Sequence, residues 1–351
     1  GRLRPFPSSV EALLESSGQA SAPGTRRRWP LMAASLRLIA QQGRDAFYTG
    51  ELAERMVADV QKLGGILTLD DFARYDAEWQ DALSVDYRGY QIFAPPLPSC
   101  GFQLLQHLKL MESFDPGELE YQSADTVHAT VEAAKLSIAD RIALAGDPDH
   151  IPPLPLEKLL SSEYAAQQKE RIDMSAAAAV AGESYISERP ADALTPGSLS
   201  DGGNTTHFEV VDRDGNAIGI TQTLGGYFGC AVAVGGTGFF LNNMTLFADS
   251  DESAPNRYGP GRKIATALGP SQTFKDGRFV LTLGMPGGWA ILQRTVQIML
   301  HLIDFGMDVQ QAAEAANINS YQMHGSVGAS RIAEPGRLVV RTDTPAQVVR
   351  E

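Results

Sequence analysis

The strongest constraint on this chain is a change of period. From residue 31 to about 200, apolar residues recur mostly at helical spacing. From 206 the pattern turns to short β segments, 206–211 and 217–223, joined by an Asp214-Gly215-Asn216 turn. The run just before, Leu194 to Gly203, is rich in Pro, Gly and Ser and reads as a flexible loop. Thr205 therefore stands at the start of a strand, directly after a loop. Two readings fit that pattern. One is a surface loop running into an ordinary hairpin. The other is a chain that cuts itself between Asn204 and Thr205, exposing a threonine that carries both a nucleophilic hydroxyl and a basic α-amine.

Composition removes several classes. With 43% hydrophobic and 20% charged residues, the 351-residue chain can bury a substantial core. A net charge of −13, with Arg26-Arg27-Arg28 as the only basic run, disfavours nucleic acid. No apolar run reaches about 18 residues, so no membrane span is expected. Cys100 and Cys230 make no metal-type pair or disulfide framework. The six histidines have no metal-ligand spacing, and Asp212 to Asn216 lacks the closing glutamate of a calcium loop. No metal and no cofactor are expected. The start at Gly1 without methionine or leader, and the abrupt end at Glu351, read as a fragment truncated at both ends.

The spacing predicts helices over 31–42 and 51–63, the second stopped by Gly64-Gly65, and a short helix capped by Thr68 and Asp71. It predicts one strand over 87–93, halted by Pro95-Pro96, then helices over 102–113, 124–144 and 156–172. Strands follow at 206–211, 217–223, 238–241 and 279–283, then helices at 289–303 and 309–316. Helices, strands and helices in that order make an α+β chain suited to a layered sandwich. Nothing repeats at solenoid periods.

Gly287-Gly288 precede the 289–303 helix, where backbone amides could approach an oxyanion closely and the helix dipole would add to the field. A tight turn is the competing reading. A phosphate loop is not, since no Lys-Ser or Lys-Thr follows. His207 points to the opposite strand face from Thr206 and reads as a structural hydrogen bonder.

Four segments occur in order in the second half: that around Thr205, Leu241-Asn242-Asn243, Gly284-Met285-Pro286-Gly287-Gly288 and 303–308. Segments 42–50, 64–71, 95–101, Asp140-Arg141 and Gly146-Asp147-Pro148 precede them. This ordered set resembles the γ-glutamyltransferase (glutathione hydrolase) family of N-terminal-nucleophile hydrolases. The resemblance implies a four-layer αββα sandwich. Residues 1–204 would be the C-terminal part of a large-subunit-like region and 205–351 a small-subunit-like region, together one structural domain. It implies autocatalytic cleavage before Thr205, an acyl-Thr205 ester, and an oxyanion hole at Gly287 and Gly288. Thr223 matches a family threonine that bonds the nucleophile, or simply serves strand propensity. Asn242, Asn243, Thr266 and Gly225 fall at substrate-binding positions, though Asn242-Asn243 could also cap a turn. A small amide or peptide substrate, a water or amine acceptor, and association of the two processed chains follow. So does a periplasmic or secreted location, with the leader not in this chain. The family sandwich draws strands from both missing ends, so the fragment alone is expected to fold poorly.

The departures concern substrate. Where well-known members carry asparagine two residues after the second-strand threonine, this chain has Gly225. Their Asn-Asn-Gln-Met-Asp-Asp-Phe stretch, which supplies an aspartate to the substrate amine, is Asn242-Asn243-Met244-Thr245-Leu246-Phe247, with no acid before Asp249. Their carboxylate-binding serine pair is Thr266-Ala267. The clamping arginine would lie upstream of Gly1. An unpaired charge in a desolvated site costs about 2–5 kcal/mol, so the expected substrate is a non-glutamyl amide. This is similar to the oxamate or cephalosporin acylase branches. The alternatives are an asparaginase-like threonine amidase and a non-processed, inactive binding paralogue.

Overall fold

The computed structural model describes residues 3–15, 17–178, 205–321 and 337–350. They form a mixed α+β structure that divides into two compact units. The first comprises 1–79 with 223–244, and the second 80–222 with 245–351. Each unit takes residues from both sides of position 204.

The first unit holds helices α1 (Pro7–Leu13), α2 (Pro30–Gln42), α3 (Arg44–Tyr48), α4 (Glu51–Lys62) and α5 (Leu69–Ala73). In α4, Leu52, Met56 and Val60 recur every four residues and share one face, which buries against Val232 and Val234. The 229–241 segment is tied to the helices by polar side chains. Ser9 Oγ donates to the Ala231 carbonyl at 2.7 Å and accepts from Ala233 N–H at 2.8 Å. Ser35 Oγ donates to the Thr237 carbonyl at 2.8 Å, and Gly235 N–H donates to Asp59 at 2.7 Å. Thr68 and Asp71 form the expected capping box on α5.

The second unit is built on an antiparallel sheet. Its strands are β1 (Leu83–Tyr87) and β2 (Tyr90–Ala94), then a hairpin β3 (Thr205–Val211) and β4 (Ala217–Thr223, of which Thr223 belongs to the first unit) that forms its own two-stranded sheet. Strands β5 (Ser271–Lys275) and β6 (Arg278–Leu283) complete the larger sheet in the order β1-β2-β5-β6. Val85 pairs Ile92, and Ile92 pairs Thr273, which puts these buried residues on one face. Helix α6 (Gly101–Glu112) packs on that sheet. Around it lie α7 (Ala124–Leu144), α9 (Ser162–Lys169, following the single turn α8, Leu156–Leu159) and α10 (Ala290–Ile303). Every residue of α6 from Gly101 to Met111 is buried. Helix α11 (Val309–Glu314), the pair β7 (Ile318–Ser320) and β8 (Leu338–Val340), and α12 (Ala346–Arg350) complete the chain.

Three sequence expectations are corrected. The single strand over 87–93 is two strands, because Arg88 (φ 46°) and Gly89 (φ 80°) make a tight hairpin turn. Arginine is an unusual occupant of that position. It is held there by bonds from its N–H to Glu112 and from its guanidinium to Asp304, and Tyr87 Oη also donates to Asp304. The helix over 156–172 is broken after Leu159, where Ser161 caps a new helix by accepting from Tyr164 N–H at 3.0 Å. Residues 238–241 form no strand. Gly235, Gly236 and Gly238 all have positive φ and interrupt the pleat, leaving one isolated bridge between Ala233 and Phe240.

Leu108 is fully buried at the centre of α6. Leu108→Ala is expected to lower unfolding free energy by about 2–5 kcal/mol, read as a shifted urea midpoint. An unchanged midpoint contradicts the central place given to this helix.

Candidate active site

Thr205 is the first residue of β3 and is half-buried, while Thr223 is the last residue of β4. The hairpin therefore opens at one threonine and closes at the other. Residues two apart on β3 share a face, which places Thr205, His207 and Glu209 together. The His207 ring is held at both nitrogens: Nδ1 lies 2.7 Å from Thr221 Oγ1 and Nε2 lies 2.9 Å from Glu209 Oε1. A carboxylate only accepts, so Nε2 carries a hydrogen, and His207 is the structural hydrogen bonder expected. Gly219 lets β4 lie close to β6, since a methyl group there would sit 2.8 Å from Thr282 Oγ1.

Gly287 (φ 142°) and Gly288 (φ 58°) adopt backbone conformations that favour glycine. Their carbonyls accept from Ala290 and Ile291 N–H at 3.2 and 3.1 Å, so the pair leads directly into α10. Among the described residues, neither glycine N–H has an acceptor. Two amides at a helix N-terminus can stabilise a developing negative charge.

Behind the pair, the buried Arg141 guanidinium stacks over the Trp289 ring at 3.5 Å, and Trp289 in turn meets Phe247. Burial brings the Arg141 pKa down to about 10, so the group is still cationic at neutral pH. Burial pushes the Cys100 thiol up to about 12, which leaves it protonated and a poor nucleophile. Thr266 is half-buried and lies alongside the 95–101 segment. Its N–H donates to the Pro98 carbonyl and its carbonyl accepts from Cys100 N–H, both at 2.8 Å. Asp147 fixes the approach to Thr266 by accepting from Lys263 N–H at 2.9 Å, as Asn256 does by accepting from Ala265 N–H at 2.8 Å.

The other candidate residues cluster in the first unit. Thr223 Oγ1 accepts from Gly225 N–H at 2.9 Å, and Asn243 N–H donates to the Leu224 carbonyl at 2.9 Å. Asn243 Oδ1 accepts from Gly226 N–H at 2.7 Å, and Asn242 Oδ1 caps its own turn at Met244 N–H. Gly225 has φ 89°, and a methyl group there would collide with Asn243 Oδ1. The space a side chain at 225 would need is thus filled by the Asn243 amide. Sequence reading assigned no role to Arg141 or Trp289. The Asp140-Arg141 motif was visible, but the stack joins residues almost 150 positions apart. Asn204 lies outside the described residues.

The Gamma-glutamyltranspeptidase family profile matches residues 1–335. The chain is 35% identical over 333 residues to the glutathione hydrolase proenzyme of Pseudomonas sp. (strain A14), covering 92% of this chain and 56% of that one. It is 34% identical over 310 residues to the acylase ACY 1 proenzyme of Pseudomonas sp. (strain SE83), covering 88% and 53%. The crystal structure of cephalosporin acylase from Bacillus halodurans superposes with a TM-score of 0.77 at 26% identity, covering 95% of this chain and 56% of that one. The chain therefore spans about half the length of the curated relatives it matches.

The stack of Arg141 on Trp289 can be tested directly. Arg141→Met is expected to lower stability by about 2 kcal/mol or more, as for a desolvated cation–π contact, seen in the denaturant midpoint. A midpoint within error of the parent shows that the stack contributes nothing.

Proposed function

Because the chain belongs to the gamma-glutamyltranspeptidase family, we propose that it is part of an amide hydrolase or acyltransferase whose nucleophile is Thr205. The observation carrying this reading is the placement of Thr205 as the first residue of β3, in the same compact unit as the Gly287-Gly288 pair. That two of the matched relatives are proenzymes supports a processing step. Residues 1–204 and 205–351 correspond in this reading to large- and small-subunit-like regions, and the sheets and helices to parts of an αββα sandwich.

The chemistry follows from the residues. Thr205 Oγ attacks the Asn204 carbonyl carbon, the peptide nitrogen leaves as the Thr205 α-amine, and an ester joins the two. Water then hydrolyses the ester, leaving a carboxylate on Asn204 and a free N-terminal threonine. An α-amine has a reference pKa of about 7.7–8.0, which suits a general base near neutral pH. It takes the Oγ proton as Oγ attacks a substrate amide. The oxyanion forms opposite the Gly287 and Gly288 amides, the amine leaves with a proton, and water or an amine discharges acyl-Thr205.

The substrate-binding positions favour a non-glutamyl acyl group. Gly225 offers no side chain, and Asn243 fills the space. Residues Met244–Phe247 form a 3₁₀ turn without a carboxylate, and Ala267 replaces a hydroxyl.

Incubation of the full-length precursor is expected to give a second band whose N-terminal residue is Thr205, while Thr205→Ala stays uncut. A different start, or cleavage of Thr205→Ala, overturns the nucleophile assignment. For the mature enzyme, kcat/KM on a γ-glutamyl anilide should fall at least about thirtyfold below that on a simple acyl or dicarboxylic monoamide. That ratio is the lower end of the cost of an unpaired buried charge. Preference for the glutamyl compound would show that other residues hold its headgroup.

A further inference from the structure

We propose that His207 is a positioning residue that sets the separation between the strand beginning at Thr205 and the loop carrying Gly287 and Gly288. This rests on the reading of Thr205 as nucleophile and of the glycine pair as oxyanion donors.

The argument starts at Gly284, the residue that follows β6. It is not among the glycines with positive φ, so its backbone conformation is open to any residue. What excludes a side chain is the His207 ring. A methyl group on Gly284 would lie 2.8 Å from Nε2, and closer still to Cε1 and Nδ1. The ring cannot easily give way, because Thr221 and Glu209 hold its two nitrogens and the side chain is only 7% exposed. Gly219 also neighbours the ring, but a methyl there would make only ordinary contact with Cε1, at 3.6 Å. The ring thus demands glycine at the exit of β6 alone, at position 284.

Each end of this contact leads to a reacting group. His207 is two residues from Thr205 on the same face of β3. Gly284 is three residues from Gly287, through Met285 and Pro286, and proline restricts φ to about −65°. A displacement at Gly284 therefore carries through a stiff connection to the amides. Acyl transfer is sensitive to such shifts: about 1 Å of misplacement can cost on the order of a hundredfold in rate. A ring that served only to pack the hairpin would affect folding without selecting the chemical step.

The test uses the full-length chain after self-cleavage, with a simple acyl anilide as probe. Gly284→Ala is expected to lower kcat about tenfold to a hundredfold, with KM within about twofold of the parent. His207→Ala should lower kcat about tenfold, again with little change in KM. The double variant should match His207→Ala and exceed Gly284→Ala, because removing the ring relieves the clash. A parental kcat in Gly284→Ala, or a double variant losing the product of both effects, overturns the proposal. If Gly284→Ala does not fold, Thr221→Val replaces it. That change frees Nδ1 without a clash, and kcat should drop several-fold at constant KM; an unchanged kcat counts against the proposal. Thr205→Ala separates the two readings. Turnover by that variant removes the nucleophile assignment and this inference with it. An inactive Thr205→Ala, with no coupling between 207 and 284, removes only the role of His207.

Discussion

Burying one helix on every side is the constraint around which the second unit is arranged. Helix α6 meets the sheet on one side and α7, α9 and α10 on the others. Its sequence is not uniformly apolar, so its polar groups need partners inside the protein. His107 Nε2 lies 3.1 Å from the Thr130 carbonyl, Lys109 Nζ donates to the Asp86 carbonyl and Glu112, and Gln106 donates to Asp140. Burial holds the His107 pKa down at about 4, so the ring is neutral at working pH and adds no buried charge. These bonds reach β1 and α7, and α7 carries Arg141. The same packing that surrounds α6 thus places the cation against Trp289, at the start of α10.

Where the signal was local, sequence reading matched the fold closely. Helix α7 and strand β4 run over the expected residues because long periodic or alternating segments set their own limits. The Thr68 capping box needs only residues three apart. Arg88 in a tight turn was invisible, since its conformation depends on Glu112 and Asp304, far along the chain. Strand β5 was missed as well, although Asp276-Gly277 (φ 50° and 72°) is a recognised hairpin signal joining it to β6.

The candidate site divides in the same way. Thr205 and the Gly287-Gly288 pair stood out as a change of period and a glycine doublet. The roles proposed for them came from the family resemblance, since the local pattern alone fits an ordinary hairpin and a tight turn. The reason for Gly225 was not legible, because it lies in the amide of Asn243, eighteen positions on. Nor was the demand for glycine at 284, which comes from a ring on a different strand. Close approaches leave no periodic trace. They appear in the sequence only as a glycine whose neighbours do not explain it.

The division of the chain into two units has a consequence for durability. Since each unit contains residues from both sides of position 204, a backbone break at that point would leave two polypeptides that share both cores. Dilution alone could not separate them, because separation would expose apolar surface in both units at once. Their persistence would then be governed by the rate of unfolding, not by a binding equilibrium. Once apart, the pieces would have lost the covalent link that limited their search, and reassembly would become bimolecular. A molecule cut there would fold as one chain and persist as two, for as long as the interleaved cores stayed closed.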